Sequence, residues 1–309
     1  MRQVASCCGL LANQAGTGQR KPVRQRRHST TRRRLAWIVA AILAVAGCTP
    51  PCFAQSGVTF DIKNLTATVT EKFKKEFFQR QETLEKYLAS TRFTEPFSGP
   101  IDVDVSDGQS FSEALIFAWE GRRGHMYFPA ARAKEGRAAI LHELTHVNAP
   151  NQVRFLAEGY PAYLEAQMGN IKAYPTLGHP IECEIRDYSR AYRSALRAVN
   201  FAVFDGVSTQ KGVFLGDNIG LETAFPANAD GISQRRAYAY LVSASFVKLL
   251  VESYGLEKFK ALYDLTPLTP GRAPQADRDR YRQVFFGKSV SDLQTDWLRA
   301  LKEKQRSCP

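Results

Sequence analysis

The stretch that decides the fold runs from residue 140 to residue 168 and reads ILHELTHVNAPNQVRFLAEGYPAYLEAQM. Its first part carries apolar residues at the spacing of one helical face, which are Ile140, Leu144 and Val147. This spacing predicts a helix, and Pro150 ends it. A second helix is predicted over residues 156–168. Because proline is tolerated only in the first turn of a helix, Pro161 places the start of this second helix near Glu158.

The first of these helices contains the motif His-Glu-x-x-His. His142 and His146 are four residues apart, so both imidazoles lie on one helical face and can bind one metal ion. Glu143 is rotated by about 100° from His142, which brings its carboxylate within reach of water at that metal. Zinc is the metal this motif typically binds, and it lowers the pKa of water to about 7. The pattern therefore predicts a zinc site with Glu143 as general base and then general acid.

A catalytic zinc ion needs a third protein ligand beside the two histidines. The metzincin pattern would require a glycine and a histidine where this chain has Ala149 and Gln152, so that pattern is excluded. The remaining option is a glutamate on the following helix. Glu158 and Glu165 both lie there.

The segment Phe155-Leu156-Ala157-Glu158-Gly159-Tyr160-Pro161-Ala162-Tyr163 makes the pattern more specific. An HExxH motif followed by such a segment resembles the gluzincin peptidases, the superfamily of thermolysin and the alanyl aminopeptidases. It is most similar to the smaller bacterial domains called peptidase MA-like, and the resemblance covers about residues 95–304. It implies that the glutamate of the Glu-Gly pair, here Glu158, is the third zinc ligand. The chain departs from these families at Pro161, where they often have alanine.

The spacing of the aminopeptidases is longer and would select Glu165 as the ligand instead. If Glu158 binds the metal, Glu165 lies seven residues further on the same helical face. It is then either a residue that orients one of the histidines or a solvated charge.

Zinc peptidases of this type commonly use a tyrosine or histidine to stabilise the oxyanion that forms during hydrolysis. Tyr240 is the candidate for this role, because it lies in the helix that follows a long loop. His179 is the alternative, although a loop histidine without a function is the simpler interpretation. His125 precedes the metal-binding helix and is interpreted as incidental. In the families that the chain resembles, an edge strand in that region lines the substrate cleft.

The remainder of the chain predicts an α+β fold with a small, mostly antiparallel sheet first and helices after it. A helix is expected over residues 70–90, and strands are expected over residues 101–105, 115–119 and 125–128. Later helices are expected at about 184–202, 235–254, 256–264, 277–286 and 289–304. Residues 204–234 are interpreted as a long loop, and residues 266–274 as a connector. The resemblance implies that this fold is zincin-like.

The basic character of the chain is concentrated at its N-terminus. Of the 42 Lys and Arg residues, nine lie within residues 1–54, which contain no acid, so residues 55–309 carry only +3 of the net charge of +12. Twelve apolar residues follow the basic run, from Leu35 to Ala46. This length is too short to span a bilayer but fits the core of an export signal. We therefore expect residues 1–54 to be a signal peptide and residues 55–309 to form the peptidase MA-like domain.

Two processing sites fit this leader. Val45-Ala46-Gly47-Cys48 resembles a bacterial lipobox, which would make the product a lipoprotein attached to a membrane through a lipidated Cys48. Residues 52–54 instead fit an ordinary signal-peptidase site. The expected location is the periplasm, the membrane surface or the medium. Two cysteines remain in the exported part, Cys183 and Cys308, and they are either free or paired in one disulfide.

Together these patterns predict an exported zinc metallopeptidase that hydrolyses peptide or protein substrates. The alternative is a zinc-bearing binding or structural protein of the cell envelope that has lost turnover. Glu143 argues against the alternative, because a purely structural zinc site needs no such carboxylate. A nucleic-acid partner is not expected, since residues 55–309 are nearly neutral and contain no DNA-binding motif.

Overall fold

The computed structural model describes residues 57–93, 99–116, 123–191, 201, 229–268 and 279–309, and for residues 191 and 229–236 it describes the backbone alone. The N-terminal segment 1–54, with its basic run, apolar run and lipobox, lies outside the described residues. In the described part, no helix combines the length and the apolar character needed to cross a membrane.

The α+β class is confirmed. The strands are β1 (Val58–Ile62), β2 (Ile101–Ser106), β3 (Glu113–Leu115) and β4 (Gly124–Pro129). The described helices are α1 (Ala67–Ser90), α2 (Ala130–Lys134), α3 (Ile140–Asn148), α4 (Arg154–Met168), α5 (Ile181–Ala191), α6 (Ala229–Tyr254), α7 (Leu256–Tyr263), α8 (Arg280–Val284) and α9 (Val290–Lys304), and a 3-10 turn follows at Gln305–Ser307.

The prediction of a mostly antiparallel sheet is wrong. The strand order is β1-β2-β4-β3, with β1–β2 and β2–β4 parallel and only β3–β4 antiparallel. The sequence interpretation missed β1, which α1 connects to β2 as a crossover between parallel strands. It also placed the second strand at residues 115–119, whereas β3 covers Glu113–Leu115 and residues 117–120 lie outside the described part.

The starts of two helices, α4 and α6, also differ from the expectations. Helix α4 begins at Arg154, and Pro161 lies inside it, so the predicted start near Glu158 is wrong. Proline there removes the hydrogen bond to the carbonyl of Ala157, and burial of the helix compensates for the loss. Helix α6 begins at Ala229, so the predicted loop 204–234 extends too far. Residues 204–228 of that loop lie outside the described part. The same holds for residues 192–200 of the predicted helix 184–202.

Part of the hydrophobic core lies between the sheet and α1 and α3, and the same core continues through α4, α6, α7 and α9. The inward side chains of β2 and β4 are buried, and the rings of Phe73 and Phe128 meet at 5.5 Å. At Gly124 a Cβ atom would lie 2.3 Å from the Val147 side chain. Only glycine allows this approach, so the start of β4 packs directly on α3 and fixes the helix that carries the HExxH motif.

Candidate metal centre

Helix α3 presents both histidines to one point. His142 and His146 lie one turn apart, and their Nε2 atoms are 3.1 Å from each other. Eight of the nine residues of α3 are buried, and His146 is the exception. A helix packed on almost every side cannot rotate without opening the core, so the orientation of the two imidazoles is fixed by the fold.

A short, tightly bonded connector joins α3 to α4. The amide of Asn151 donates to the carbonyl of Tyr263 at 2.8 Å, and its oxygen accepts the backbone N–H of Val153 at 2.9 Å. The hydroxyl of Tyr263 donates to the carbonyl of Ala149 at 2.6 Å. These bonds anchor the connector to α7, so the chain returns over α3 within a few residues.

Glu158 on α4 completes a group of three ligand atoms. Its Oε2 atom lies 3.4 Å from Nε2 of His142 and 3.2 Å from Nε2 of His146. Its other oxygen is 3.1 Å from the guanidinium of Arg154, one turn earlier on α4. His142, His146 and Glu158 form a group that can hold a metal ion.

The three ligand atoms fit a tetrahedral zinc ion. With Zn–N and Zn–O bonds of about 2.0–2.1 Å, two ligands of a tetrahedral site lie about 3.3–3.4 Å apart. The three observed separations, from 3.1 to 3.4 Å, match this edge length. In addition, Oε2 of Glu158 is buried without an aligned hydrogen-bond donor among the described residues. A buried oxygen without a donor is unfavourable, and a cation at this point would satisfy it.

The protonation states of the ligands also suit a metal. Burial lowers the pKa of His142, so its imidazole stays neutral and keeps a lone pair available. Burial alone would raise the pKa of Glu158. The charge of His146, contacts with both imidazoles and the charge of Arg154 outweigh that effect, and they hold the pKa well below its usual range. Glu158 therefore carries a negative charge, which suits the binding of a cation.

Glu143 lies beside this group and has the opposite electrostatic character. Its side chain is buried, and burial together with the negative charges of Glu158, Glu165 and Glu113 raises its pKa well above the usual value. A carboxylate with a raised pKa accepts a proton more readily near neutral pH. This property suits the predicted role as a general base.

Tyr240 reaches the site because α6 packs closely on α4. A Cβ atom on Gly159 would lie 2.8 Å from the carbonyl oxygen of Ser243, so the glycine after Glu158 allows the two helices to touch. Tyr240 lies one turn before Ser243, and its ring centroid is 5.9 Å from that of His142. Burial, with the charge of Glu158 next, raises the Tyr240 pKa well above its usual value, so the phenol keeps its proton and can donate a hydrogen bond.

The three residues His142, His146 and Glu158, called the metal group below, lie in a cleft of about 570 Å³. One rim is formed by β3 and the residues before it, including Phe111 and Glu113. The opposite wall contains Tyr174 and Tyr240, whose ring centroids lie 5.8 Å apart. In the described part of the chain, no strand pairs with the outer edge of β3, and Glu113 and Ala114 of this strand line the cleft.

Glu165 is neither a metal ligand nor a solvated charge. It is buried, and its Oε2 atom accepts the backbone N–H of His142 at 2.7 Å. Its Oε1 atom accepts the backbone N–H of Asn170 at 2.6 Å. Because the N–H groups of the first helical turn have no partner within the helix, Glu165 caps α3 and fixes His142 through its backbone.

The structure does not bring His125 or His179 into the site. His179 is exposed, with its nearest acidic oxygen, on Glu184, 3.9 Å away. His125 stacks on Tyr127 at 4.2 Å on the sheet. Cys183 and Cys308 form a disulfide that joins the C-terminus to α5.

The cleft residues that sequence reasoning missed include two cations and an aromatic ring, Arg132, Arg154 and Tyr174. Arg154 lies four residues before Glu158 on one helical face, and this spacing was a usable signal. Nothing in the local sequence marks Arg132 or Tyr174, because their position depends on how α2 and the loop after α4 fold over the site.

Comparisons with known proteins give no match: no protein-family model, no curated protein and no solved structure is significantly similar to the chain. The likeness to the gluzincins therefore rests on the motif residues, and the family assignment stays a prediction.

Proposed function

We propose that the protein is an exported, zinc-dependent peptidase with a zincin-like fold. One observation carries the proposal. His142, His146 and Glu158 converge with the edge lengths of a tetrahedral zinc site, beside the buried Glu143 and at the base of an open cleft. A structural zinc site is normally closed by four protein ligands, whereas a catalytic site keeps one position open.

When bound, the zinc ion supplies Lewis acidity and lowers the pKa of water. The residues of the chain supply the rest of the chemistry. Glu143 takes a proton from the attacking water and delivers it to the leaving amine. The phenol of Tyr240 donates a hydrogen bond to the oxygen of the attacked carbonyl, where negative charge develops. The edge strand β3 offers backbone groups to a substrate peptide in extended conformation.

Two features support export. Residues 1–54 have the charge pattern and the apolar run of a signal peptide. The disulfide between Cys183 and Cys308 suits an oxidising compartment, such as the bacterial periplasm or the medium. Membrane attachment through a lipidated Cys48 remains part of this proposal.

The test uses the purified full-length chain, metal analysis and a peptide-library digest. We expect about one zinc per chain and cleavage that is abolished in Glu143→Gln, while zinc content stays unchanged. Glu82→Gln is the matched control, because Glu82 is exposed on α1 and pairs only with Lys86 among the described residues. Zinc bound without Glu143-dependent cleavage would favour an inactive binding protein, and a chain that binds no zinc would refute the site.

A further inference from the structure

The cleft contains a cation that the proposed chemistry does not use. Arg132, on α2, lines the cleft, and its guanidinium carbon lies 5.6 Å from the centroid of the Tyr174 ring. Tyr174 in turn contacts Tyr240, which contacts His142. Three successive contacts, each shorter than 6 Å, therefore link the ring of His142 to the guanidinium of Arg132. This guanidinium lies within the length of a few peptide residues from the metal group.

Neighbouring cations are neutralised by acids, and Arg132 is not. Lys134, on the same helix, lies 3.6 Å from the carboxylate of Asp107. Arg154 lies 3.1 Å from Glu158. Arg132 makes neither an ion pair nor a hydrogen bond with the residues that the structure describes, and its contact is with the face of Tyr174. Its charge is thus available to a ligand in the cleft.

The chemistry of the side chain defines what it would bind. A guanidinium is permanently charged and presents a planar fork of N–H donors, which matches a carboxylate in two parallel hydrogen bonds. Stacking on Tyr174 orients this fork and reduces the entropy lost on binding. Three acids line the cleft, Glu113, Glu143 and Glu158, and none of them forms an ion pair with Arg132.

We propose that Arg132 determines specificity by binding a carboxylate of the peptide substrate, either an acidic side chain or the C-terminal carboxylate. This inference rests on the proposed peptidase function and names its substrate class. The carboxylate lies a few residues from the scissile bond, so Arg132 contributes to substrate binding and leaves the proton transfers of Glu143 unchanged.

The experiment compares matched peptides with the full-length chain. One pair differs by Asp against Asn, and the other by a free against an amidated C-terminus. We expect one pair to show a preference of about tenfold in kcat/KM for the carboxylate form, mainly through KM. Arg132→Met should remove this preference, Arg132→Lys should retain part of it, and the control Lys134→Met should leave it unchanged. The pair that responds identifies the source of the carboxylate.

A preference that survives in Arg132→Met, or no preference in either pair, would overturn the inference. Calorimetric titration of the zinc-loaded Glu143→Gln protein with the same peptides separates this outcome from failure of the proposed function. Selective binding that depends on Arg132, without cleavage by the unmodified chain, would contradict the peptidase and support the carboxylate site. Cleavage without selective binding would do the reverse.

Discussion

Helix α4 places two buried glutamates against α3, and the two side chains have different kinds of partner there. Glu158 and Glu165 lie seven residues apart on one helical face and are 4% and 2% exposed. Glu158 faces the imidazoles of His142 and His146, whereas Glu165 faces backbone N–H groups. The same residue type therefore belongs to a group that can hold a metal ion at one end and forms a helix cap at the other.

The pKa values of the two glutamates follow these partners. Positive charge and imidazole contacts around Glu158 outweigh its burial and lower its pKa. Burial raises the pKa of Glu165, and the N–H groups of Asn170 and His142 offset only part of that effect. The pKa values of two equally buried carboxylates thus differ because one contacts imidazole and guanidinium groups and the other accepts only backbone N–H groups.

The largest effect is expected for Glu158→Gln, which keeps the volume but replaces an anionic ligand by a neutral amide. Loss of a ligand should reduce zinc affinity by more than the roughly 100-fold that loss of an outer partner can cost. Cleavage should become undetectable. Competition with a chelator measures the affinity, and thermal melting with and without zinc should show that the metal no longer raises Tm. Affinity equal to that of the unmodified chain would contradict Glu158 as a ligand.

Glu165→Gln should mainly lower the stability of the protein and, to a lesser extent, its zinc affinity. The amide can accept one of the two backbone N–H groups, and the other loses its partner inside the protein. We expect unfolding free energy to fall by about 2 kcal/mol and zinc affinity to fall about tenfold, because His142 is less firmly held. Urea unfolding of the metal-free chain measures the first effect. If Glu165→Gln lost zinc as completely as Glu158→Gln, the distinction between cap and ligand would be wrong.

Gly159→Ala tests the close contact between α4 and α6 beside Glu158. The added methyl group would meet the carbonyl of Ser243, which must move, and overpacking of this kind costs about 1–3 kcal/mol. Zinc affinity should stay nearly constant, since Glu158 precedes the contact, whereas kcat should fall because Tyr240 moves with α6. Gly57→Ala is the control, as a Cβ there meets nothing within 4 Å. Unchanged kcat together with the lost stability would remove Tyr240 from the mechanism.

The sequence predicts the metal-facing end of α4 better than the capping end. His142, His146 and Glu158 are recognisable because a metal requires particular residue types at particular spacings. The position of Glu165 in the sequence fits a metal ligand and a helix cap equally well. Only the fold of the loop at Asn170, whose backbone N–H it accepts, decides that it caps α3. Its partners are backbone groups, which every residue carries, so no side-chain pattern could reveal them.

The fold shows the same limit. The helices around the site follow from apolar periodicity, and α1, α3 and α7 lie close to their expected positions. The direction of the strands does not, because a short alternating segment such as β2 can pair either way. The predicted start of α4 is wrong because the low helix propensity of proline argues against Pro161 inside a helix. Tertiary packing overrides that preference.

The smallest effect on protein stability is expected for Arg154→Met, which contacts Glu158 from outside the group that faces the histidines. Arg154 binds Oε1 and leaves Oε2 directed at the two histidines, at a side-chain exposure of 39%. We expect zinc affinity to fall by about tenfold, the lower end for outer partners of a metal site, with partial recovery in Arg154→Lys. The difference from the unmodified chain should shrink at high salt, because a partly exposed charge is screened. A difference that does not depend on salt would mean that Arg154 acts through packing and not through charge.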